Sequence, residues 1–119
     1  MADSSVQLAQ MTLATVRTAE MVKFYNTLFG TAFQTIRAYG GTLYHGTLAG
    51  IPLILCPNEI AGVEAKQSRH QLTLRVPDLL GLLQIVETAG GGIETAPAEA
   101  VVGAMLRDPD GNTIEVTQA

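Results

Sequence analysis

The sequence contains no tryptophan, a single cysteine and few charged residues. Aromatic residues make up 5% of its 119 residues and charged residues 15%. The one thiol, Cys56, cannot form an internal disulfide, so the composition fits a reducing, cytoplasmic location. Because Cys56 lies in the apolar run "PLILCP", we expect it to be a small core residue and not a nucleophile.

Long apolar runs and an excess of positive charge are also missing. No run approaches the roughly 18 consecutive apolar residues of a membrane span, and "MADSSVQLAQ" lacks the basic start and apolar centre of a signal peptide. The net charge is −4, so we expect neither nucleic acid nor membrane as a partner. With 47% apolar residues, the chain is predicted to form one globular domain over residues 1–119.

The first half of the chain reads as a strand, a helix and three strands. "QMTLATV" alternates as a strand does, and the following helix is predicted to be capped by Thr18 and ended by Gly30. "TAFQTIR", "TLYHGTL" and "IPLILC" follow as strands, divided by turn residues. The spacing of apolar residues gives the helix one buried face, formed by Met21, Phe24, Tyr25 and Leu28.

The second half repeats this order after a polar linker at residues 57–68. "HQLTLRV" is predicted as a strand, and "LLGLLQIVETA" as a helix capped by Asp78 and ended by Gly90. "GGIETA", "VVGAMLR" and "NTIEVTQ" are predicted as three further strands, the last two joined by a type I turn at "DPDG". The second helix is apolar around most of its circumference, which indicates either a homodimer contact or cover by the other half or the linker.

The two halves are related by a constant offset. Val16 and Val76 end corresponding strands 60 residues apart. The helix caps and the helix ends show the same spacing, which predicts an internal duplication. The modules would cover about residues 8–57 and 69–118. Each would carry a helix on one face of its strands and leave the other face to curve around an interior.

With "FYNTLFG" at the end of the first helix and "RDPDGNTIEV" at the C-terminus, the repeated βαβββ unit resembles the vicinal oxygen chelate superfamily. This superfamily includes glyoxalase I, bleomycin resistance proteins and extradiol dioxygenases. The resemblance covers residues 8–118. It implies an α+β fold in which two tandem βαβββ modules form a cupped, incompletely closed eight-stranded mixed sheet with a helix outside each half. It does not choose between metal enzymes and non-catalytic binders.

In metal enzymes of this superfamily, the resemblance implies a divalent ion held by His or Gln at the start of each module's first strand and by Glu on each module's last strand. Glu115 and Gln71 match two of these positions. The offset of 60 places Leu55 and Met11 at the other two positions. If the two halves are aligned on "FY" instead, the position given to Met11 falls on Gln10. Leu55 offers no donor and Met11 only a thioether, so we predict no metal cofactor.

A divalent metal (nickel, zinc, manganese or iron) remains the alternative. Strand alternation places His45 at the position that corresponds to Met105, so His45, Gln71 and Glu115 form a possible three-ligand set. The protein would then resemble glyoxalase I as a metal-dependent lyase or isomerase, or a related dioxygenase, with Glu115 as ligand or catalytic base. His70 has the opposite parity to Gln71 and is expected to face the helices.

Taking Glu115 as inward-facing predicts an interior with one apolar wall and one polar wall. Such an interior suits a small amphipathic ligand, so we favour a metal-free small-molecule-binding protein, with a structural or regulatory dimer as a further possibility. A competing interpretation pairs Glu115 with Arg75 or Arg107 and fills the interior with the protein's own side chains. The predicted lining consists of Met11, Leu13, Thr15, His45, Thr47, Leu53, Leu55, Gln71, Thr73, Arg75, Met105, Arg107, Thr113, Glu115 and Thr117.

Overall fold

The computed structural model describes residues 7–96 and 103–119. The order of its main elements is the predicted one, βαβββ twice. The helices are α1 (Thr18–Phe29), α2 (Asn58–Ala61) and α3 (Leu79–Leu83). The strands are β1 (Met11–Thr15), β2 (Gln34–Ala38), β3 (Gly41–Leu48), β4 (Ile51–Pro57), β5 (Leu72–Val76), β6 (Gly92–Thr95), β7 (Gly103–Arg107) and β8 (Thr113–Gln118).

The strands form two four-stranded mixed sheets with the same topology. The first has the order β1-β4-β3-β2 and the second β5-β8-β7-β6. In each sheet the first strand of the module pairs in parallel with the last, and the remaining pairs are antiparallel. The sheets are not closed into a barrel. The α+β fold of tandem modules is therefore confirmed.

Helix α1 lies between the two modules and packs against both. Its predicted apolar face is buried, and Gly30 ends it in the left-handed conformation with φ +59°, which glycine adopts without steric cost. Side chains from the helices and from one face of each sheet then form a single hydrophobic core. We call this face of each sheet the helix face and the opposite one the open face.

The turn between β7 and β8 connects the second module to α1. The buried Asp108 accepts a hydrogen bond from the hydroxyl of Tyr25 at 2.8 Å and another from the side-chain amide of Asn112 at 2.9 Å. Two backbone amides of the turn also donate to Asp108. Burial and the Asp108 carboxylate raise the pKa of Tyr25, so its hydroxyl keeps the proton that it donates.

The same turn caps the N-terminus of α1. The carboxylate of Asp110 accepts hydrogen bonds from the backbone amides of Val16 and Arg17 at 2.8 and 2.7 Å. The prediction that Thr18 caps this helix is wrong, because Arg17 occupies the N-cap and Thr18 is the first helical residue. A carboxylate from a distant part of the chain thus satisfies the backbone amide of the N-cap residue and that of the residue before it.

The helix predicted for the second module, α3, is shorter than the sequence predicts. Asp78 caps α3 as expected, accepting from the amide of Gly81 at 3.0 Å, but the helix ends at Leu83. Beyond it the amide of Ile85 bonds to the carbonyl of Leu82, three residues back, so the chain tightens into turns. None of the described helices combines the length and hydrophobicity that crossing a membrane requires. The first two residues of the predicted strand "VVGAMLR" lie outside the described residues.

Helix α2 covers part of the open face of the first sheet, which the sequence did not predict. Ile60 lies in contact with Gly41 at the start of β3. Leu43 and Cys56, on the open face near α2, are only 7% and 4% exposed. Burial raises the pKa of the Cys56 thiol, with a smaller effect of Glu59. This agrees with a core cysteine that is not activated as a nucleophile.

Replacing Tyr25 with Phe removes one donor to the buried Asp108. We expect the Tyr25→Phe variant to lose about 1–3 kcal/mol of unfolding free energy in a urea titration, since a buried acceptor loses its partner. Tyr39, which is 86% exposed at the β2–β3 turn, provides the control, and Tyr39→Phe should leave the urea midpoint unchanged. Equal midpoints for the two variants would contradict the structural role of Tyr25.

The unfolding free energy should also respond to the protonation of Asp108. Burial raises the pKa of this carboxyl above its ordinary value of 3.8, and the hydrogen bonds from Asn112 and Tyr25 offset only part of that effect. The folded protein therefore binds the proton more tightly than the unfolded chain does, so the contribution of Asp108 to stability decreases as pH rises above about 3.8.

The comparison is between wild-type protein and the non-titrating Asp108→Asn variant, unfolded in urea at pH values from 4 to 7. We expect the difference in unfolding free energy, wild type minus variant, to increase as pH falls toward 4. The substitution also changes stability by an amount that does not depend on pH, and this amount does not affect the trend. An advantage that shrinks with falling pH would mean that the hydrogen bonds outweigh burial and lower the pKa of Asp108.

Candidate functional site

The open face of the second sheet brings together the polar residues predicted for the interior. Thr73 and Met105 pair with Glu115 from opposite sides, and Arg75 pairs with Thr117 in the next row. Strand alternation therefore places these side chains on one face. We call this surface the polar face: Gln71, Thr73, Arg75, Met105, Arg107, Thr113, Glu115 and Thr117.

Hydrogen bonds on the polar face leave acceptor atoms available. The side-chain amide nitrogen of Gln71 donates to Thr113 Oγ1 at 2.7 Å and lies 3.7 Å from the sulfur of Met105. The hydroxyl of Thr73 donates to Glu115 Oε1 at 3.2 Å. Among the described residues, Gln71 Oε1 and the second carboxylate oxygen of Glu115 have no protein donor. The face can therefore accept hydrogen bonds from a ligand.

The competing interpretation, in which Glu115 pairs with Arg75 or Arg107, is not observed among the described residues. Arg107 Nε instead contacts Glu94 Oε2 at 2.7 Å, in the one ion pair found over residues 7–96 and 103–119. Arg107 also donates to the carbonyl of Gly111 at 2.7 Å. The guanidinium lowers the pKa of Glu94 through this hydrogen bond and its charge. Glu115 is thus not explained as half of a structural ion pair, and no sequence pattern pointed to Glu94 as the partner.

In the first sheet, the prediction of a shared interior wall is wrong. Leu53 pairs with Met11 and Leu55 with Leu13 on the helix face, where Leu55 is fully buried against α1. Thr15 lies on this face too. His45 pairs with Ile54 on the open face, together with Thr47. The apolar residues predicted for the interior therefore face the helices and do not lie opposite Glu115, although Met11 and Leu53 also line a depression that includes Thr73.

The physical reason is a one-residue difference between the modules. Met11 occupies the place of Leu72 in its sheet, and Leu53 that of Ile114, so β1 and β4 follow an offset of 61 residues. A shift of one residue exchanges the two faces of a strand. Burial supports the same alignment. Val16 and Val76, which an offset of 60 would make equivalent, differ in exposure, at 56% and 7%.

The corrected register changes the residues that correspond to the superfamily's metal ligands. Gln10, not Met11, is the counterpart of Gln71, and Ile54, not Leu55, is the counterpart of Glu115. The four positions therefore supply two neutral amides, one carboxylate and one hydrocarbon. A hard divalent cation prefers several charged oxygen or imidazole donors, so this set fits such an ion poorly.

Within the single chain, the depression that His45 lines includes neither Gln71 nor Glu115. It has a volume of about 360 Å³ on the first sheet, and its lining includes Gln34, Thr47 and Ile36 but no residue of the second module. Nowhere in the described part of the chain do three or more His, Cys, Asp or Glu side chains come together to hold a metal ion. His70 lines a separate small cavity of about 70 Å³ between the sheets, beside Met11, Leu13 and Tyr25.

A family model described as the Glyoxalase/Bleomycin resistance protein/Dioxygenase superfamily matches residues 7–116. The chain belongs to this superfamily. Comparison with curated proteins found no match.

Several known structures share the fold of this superfamily member. A glyoxalase/bleomycin resistance protein/dioxygenase family enzyme from Burkholderia phytofirmans PsJN has a TM-score of 0.74 and 20% identity, covering 95% of this chain and 98% of that one. TnmS3, an antibiotic binding protein from Streptomyces sp. CB03234, has a TM-score of 0.70 and 18% identity, covering 98% of both chains.

A mutant of the fosfomycin resistance protein FosX from Listeria monocytogenes, complexed with Mn(II) and 1S,2S-dihydroxypropylphosphonic acid, is also similar. Its TM-score is 0.67 at 11% identity, covering 93% of this chain and 88% of that one. The neighbours of this chain thus include both an antibiotic binder and a metal-containing resistance protein. At these identities the likeness establishes the fold and leaves activity to the site residues.

Proposed function

We propose that this protein binds a small amphipathic molecule on the polar face without a metal ion and without catalysing a reaction. The observation that carries the proposal is the donor set at the four family positions. Ile54 cannot ligate, and Gln10 and Gln71 offer only neutral amide oxygens. Only the carboxylate of Glu115 carries a charge that would offset a dication, so removing the ion's hydration shell would be poorly compensated.

The chemistry of the polar face supports ligand binding in place of metal binding. Carboxylate and amide oxygens lie beside threonine hydroxyls and the thioether of Met105, a mixture of directional acceptors and soft apolar surface. Ligand sites in proteins commonly combine a few placed polar groups with such surface. The antibiotic binder TnmS3 has the same fold, which supports a binding role that needs no chemistry.

A metal-dependent lyase or isomerase similar to glyoxalase I is the second candidate. The corrected register favours it in one respect, because Gln10 adds an amide donor where the sequence analysis placed Met11. Gln10, Gln71 and Glu115 would then be the ligands of a divalent metal, and FosX with Mn(II) is an example of a metal in this fold. Glu115 would act as ligand or base.

Calorimetric titration with nickel, manganese and zinc separates the two candidates. We expect no binding at micromolar concentrations, because one carboxylate and two amides are too weak a set. The matched variants are Glu115→Ala and Glu64→Ala, the latter on the exposed linker. Micromolar affinity that is lost in Glu115→Ala and kept in Glu64→Ala would overturn the metal-free proposal.

The proposal includes a homodimer. Leu80 on α3 is 69% exposed, although its neighbours Leu79 and Leu82 are buried, and the open face of the second sheet is accessible in a single chain. A second copy would remove the exposed apolar surface of α3 from water, which is one of the two alternatives that the apolar sequence of this helix indicates.

Sedimentation equilibrium tests the dimer and the part that α3 plays in it. We expect wild-type protein to sediment as a dimer and Leu80→Glu to shift the equilibrium toward monomer, because a charge would be buried at the contact. Val63→Glu, at a linker residue that is 38% exposed, is the control and should remain dimeric. A wild-type monomer would exclude the homodimer, and a dimeric Leu80→Glu variant would exclude this face.

A further inference from the structure

Two opposite charges of the polar face lie close together without pairing. Glu115 and Arg75 lie on the same face in adjacent rows, since Glu115 pairs with Thr73 and Arg75 with Thr117. Their backbones are therefore about 8 Å apart, from the strand spacing and the rise per residue. Neither charge belongs to an ion pair within the described residues, whereas Arg107 is neutralised by Glu94. The face thus offers one anion and one cation to a ligand.

An apolar groove runs along the edge strand that carries Arg75. It consists of two adjoining depressions of about 410 and 230 Å³, which share Leu48, Ala49 and Leu74 as lining residues. We call it the seam groove, because it lies between the β3–β4 hairpin of the first sheet and the free edge of β5. Its total size is in the range of small-molecule sites.

The seam groove and the polar face meet along β5. Arg75 lines the larger depression and Thr73, the hydrogen-bond donor to Glu115, lines the smaller one. The opposite walls are apolar and include Phe29 of α1 and Ile85 beyond α3. A ligand with a hydrocarbon body in the groove would therefore bring its polar end to Arg75 and Glu115.

The charges around the groove select among ligands. Asp78 also lines the larger depression, where its carboxylate caps α3 through the amide of Gly81. A simple anion at Arg75 would meet this carboxylate as well as Glu115, and a simple cation at Glu115 would meet Arg75. A ligand that carries both charges compensates each of the two unpaired groups, since opposite charges attract and like charges repel over these distances.

We propose that the seam groove and the polar face form one site for a small amphipathic zwitterion. Its ammonium group contacts Glu115, its anionic group contacts Arg75, and its apolar body packs against Leu48, Ala49 and Leu74. This assignment rests on the proposed small-molecule-binding function and adds the chemical class of the ligand.

Four probes with the same aromatic body test the assignment at pH 7. They are L-phenylalanine, phenethylamine, 3-phenylpropionate and the uncharged 2-phenylethanol, titrated into the full chain and followed by amide NMR shifts. Each exposed ion pair contributes a factor of about two to five in affinity. We therefore expect L-phenylalanine to bind most tightly, roughly 4- to 25-fold more tightly than 2-phenylethanol.

Charge-removing variants assign the two ends of the ligand. Glu115→Gln should weaken the binding of L-phenylalanine and phenethylamine by about two- to fivefold and should not weaken the binding of 3-phenylpropionate. Arg75→Gln should weaken L-phenylalanine and 3-phenylpropionate by the same factor and leave phenethylamine no weaker. Arg37→Gln, on a strand of the first sheet, and Glu64→Gln are the matched controls and should change no affinity. Urea midpoints equal to that of the wild type verify that the variants are folded.

The outcomes separate this inference from the proposed function. Equal affinities for all four probes, or a ranking that neither variant changes, would overturn the zwitterion assignment while small-molecule binding stands. Binding of 2-phenylethanol without binding of L-phenylalanine would have the same meaning. Failure of all four probes to bind would overturn both.

Discussion

The hydrogen bonds to the buried carboxylate of Asp108 are the interactions on which the packing of the two modules depends. This carboxylate accepts hydrogen bonds from within the β7–β8 turn and from the hydroxyl of Tyr25 on α1, the helix of the other module. Through the same turn, Asp110 caps α1, and the linker residue Ser68 donates to Asn112 at 2.6 Å. Since β8 begins directly after the turn, these bonds also set the register that brings Glu115 beside its neighbours. The two motifs that mark the superfamily are therefore joined by one polar contact, which lies apart from the polar face.

The two modules have the same topology but offer different surfaces. In the second sheet, the open face carries hydroxyls, an amide and the charged groups of Arg75, Arg107 and Glu115. In the first sheet, α2 covers the corresponding face near Gly41 and buries Leu43 and Cys56, and the position equivalent to Glu115 is Ile54. Duplication provides two similar frameworks, and subsequent differences in side chains confine the polar chemistry to one of them. The same fold occurs in a fosfomycin resistance protein complexed with Mn(II) and in an antibiotic binding protein.

Much of the fold and half of the candidate site could be predicted from the sequence. The apolar spacing of α1 identified its buried face, and alternation on β5, β7 and β8 placed the polar residues on one face. An alignment of the repeat on Val16 and Val76 predicts the wrong inward face for the strands of the first sheet. These two valines are not structural equivalents, because Val76 is buried and Val16 is exposed. A strand has a period of two residues, so an error of one residue exchanges core and surface. Alignment on the aromatic residues of α1 gave the correct counterpart, Gln10.

The sequence by itself determined the order of elements and the duplication, because these depend on local periodicity and on residue type. Only the tertiary structure decided which face of each strand is buried, that Arg107 pairs with Glu94, and that Asp110 caps a helix 93 residues earlier in the chain. These features depend on contacts between segments far apart in the chain, and such contacts leave no periodic signal in either segment. The position of the seam groove beside Arg75 and Glu115 belongs to the same category, since the groove exists only where the two sheets meet.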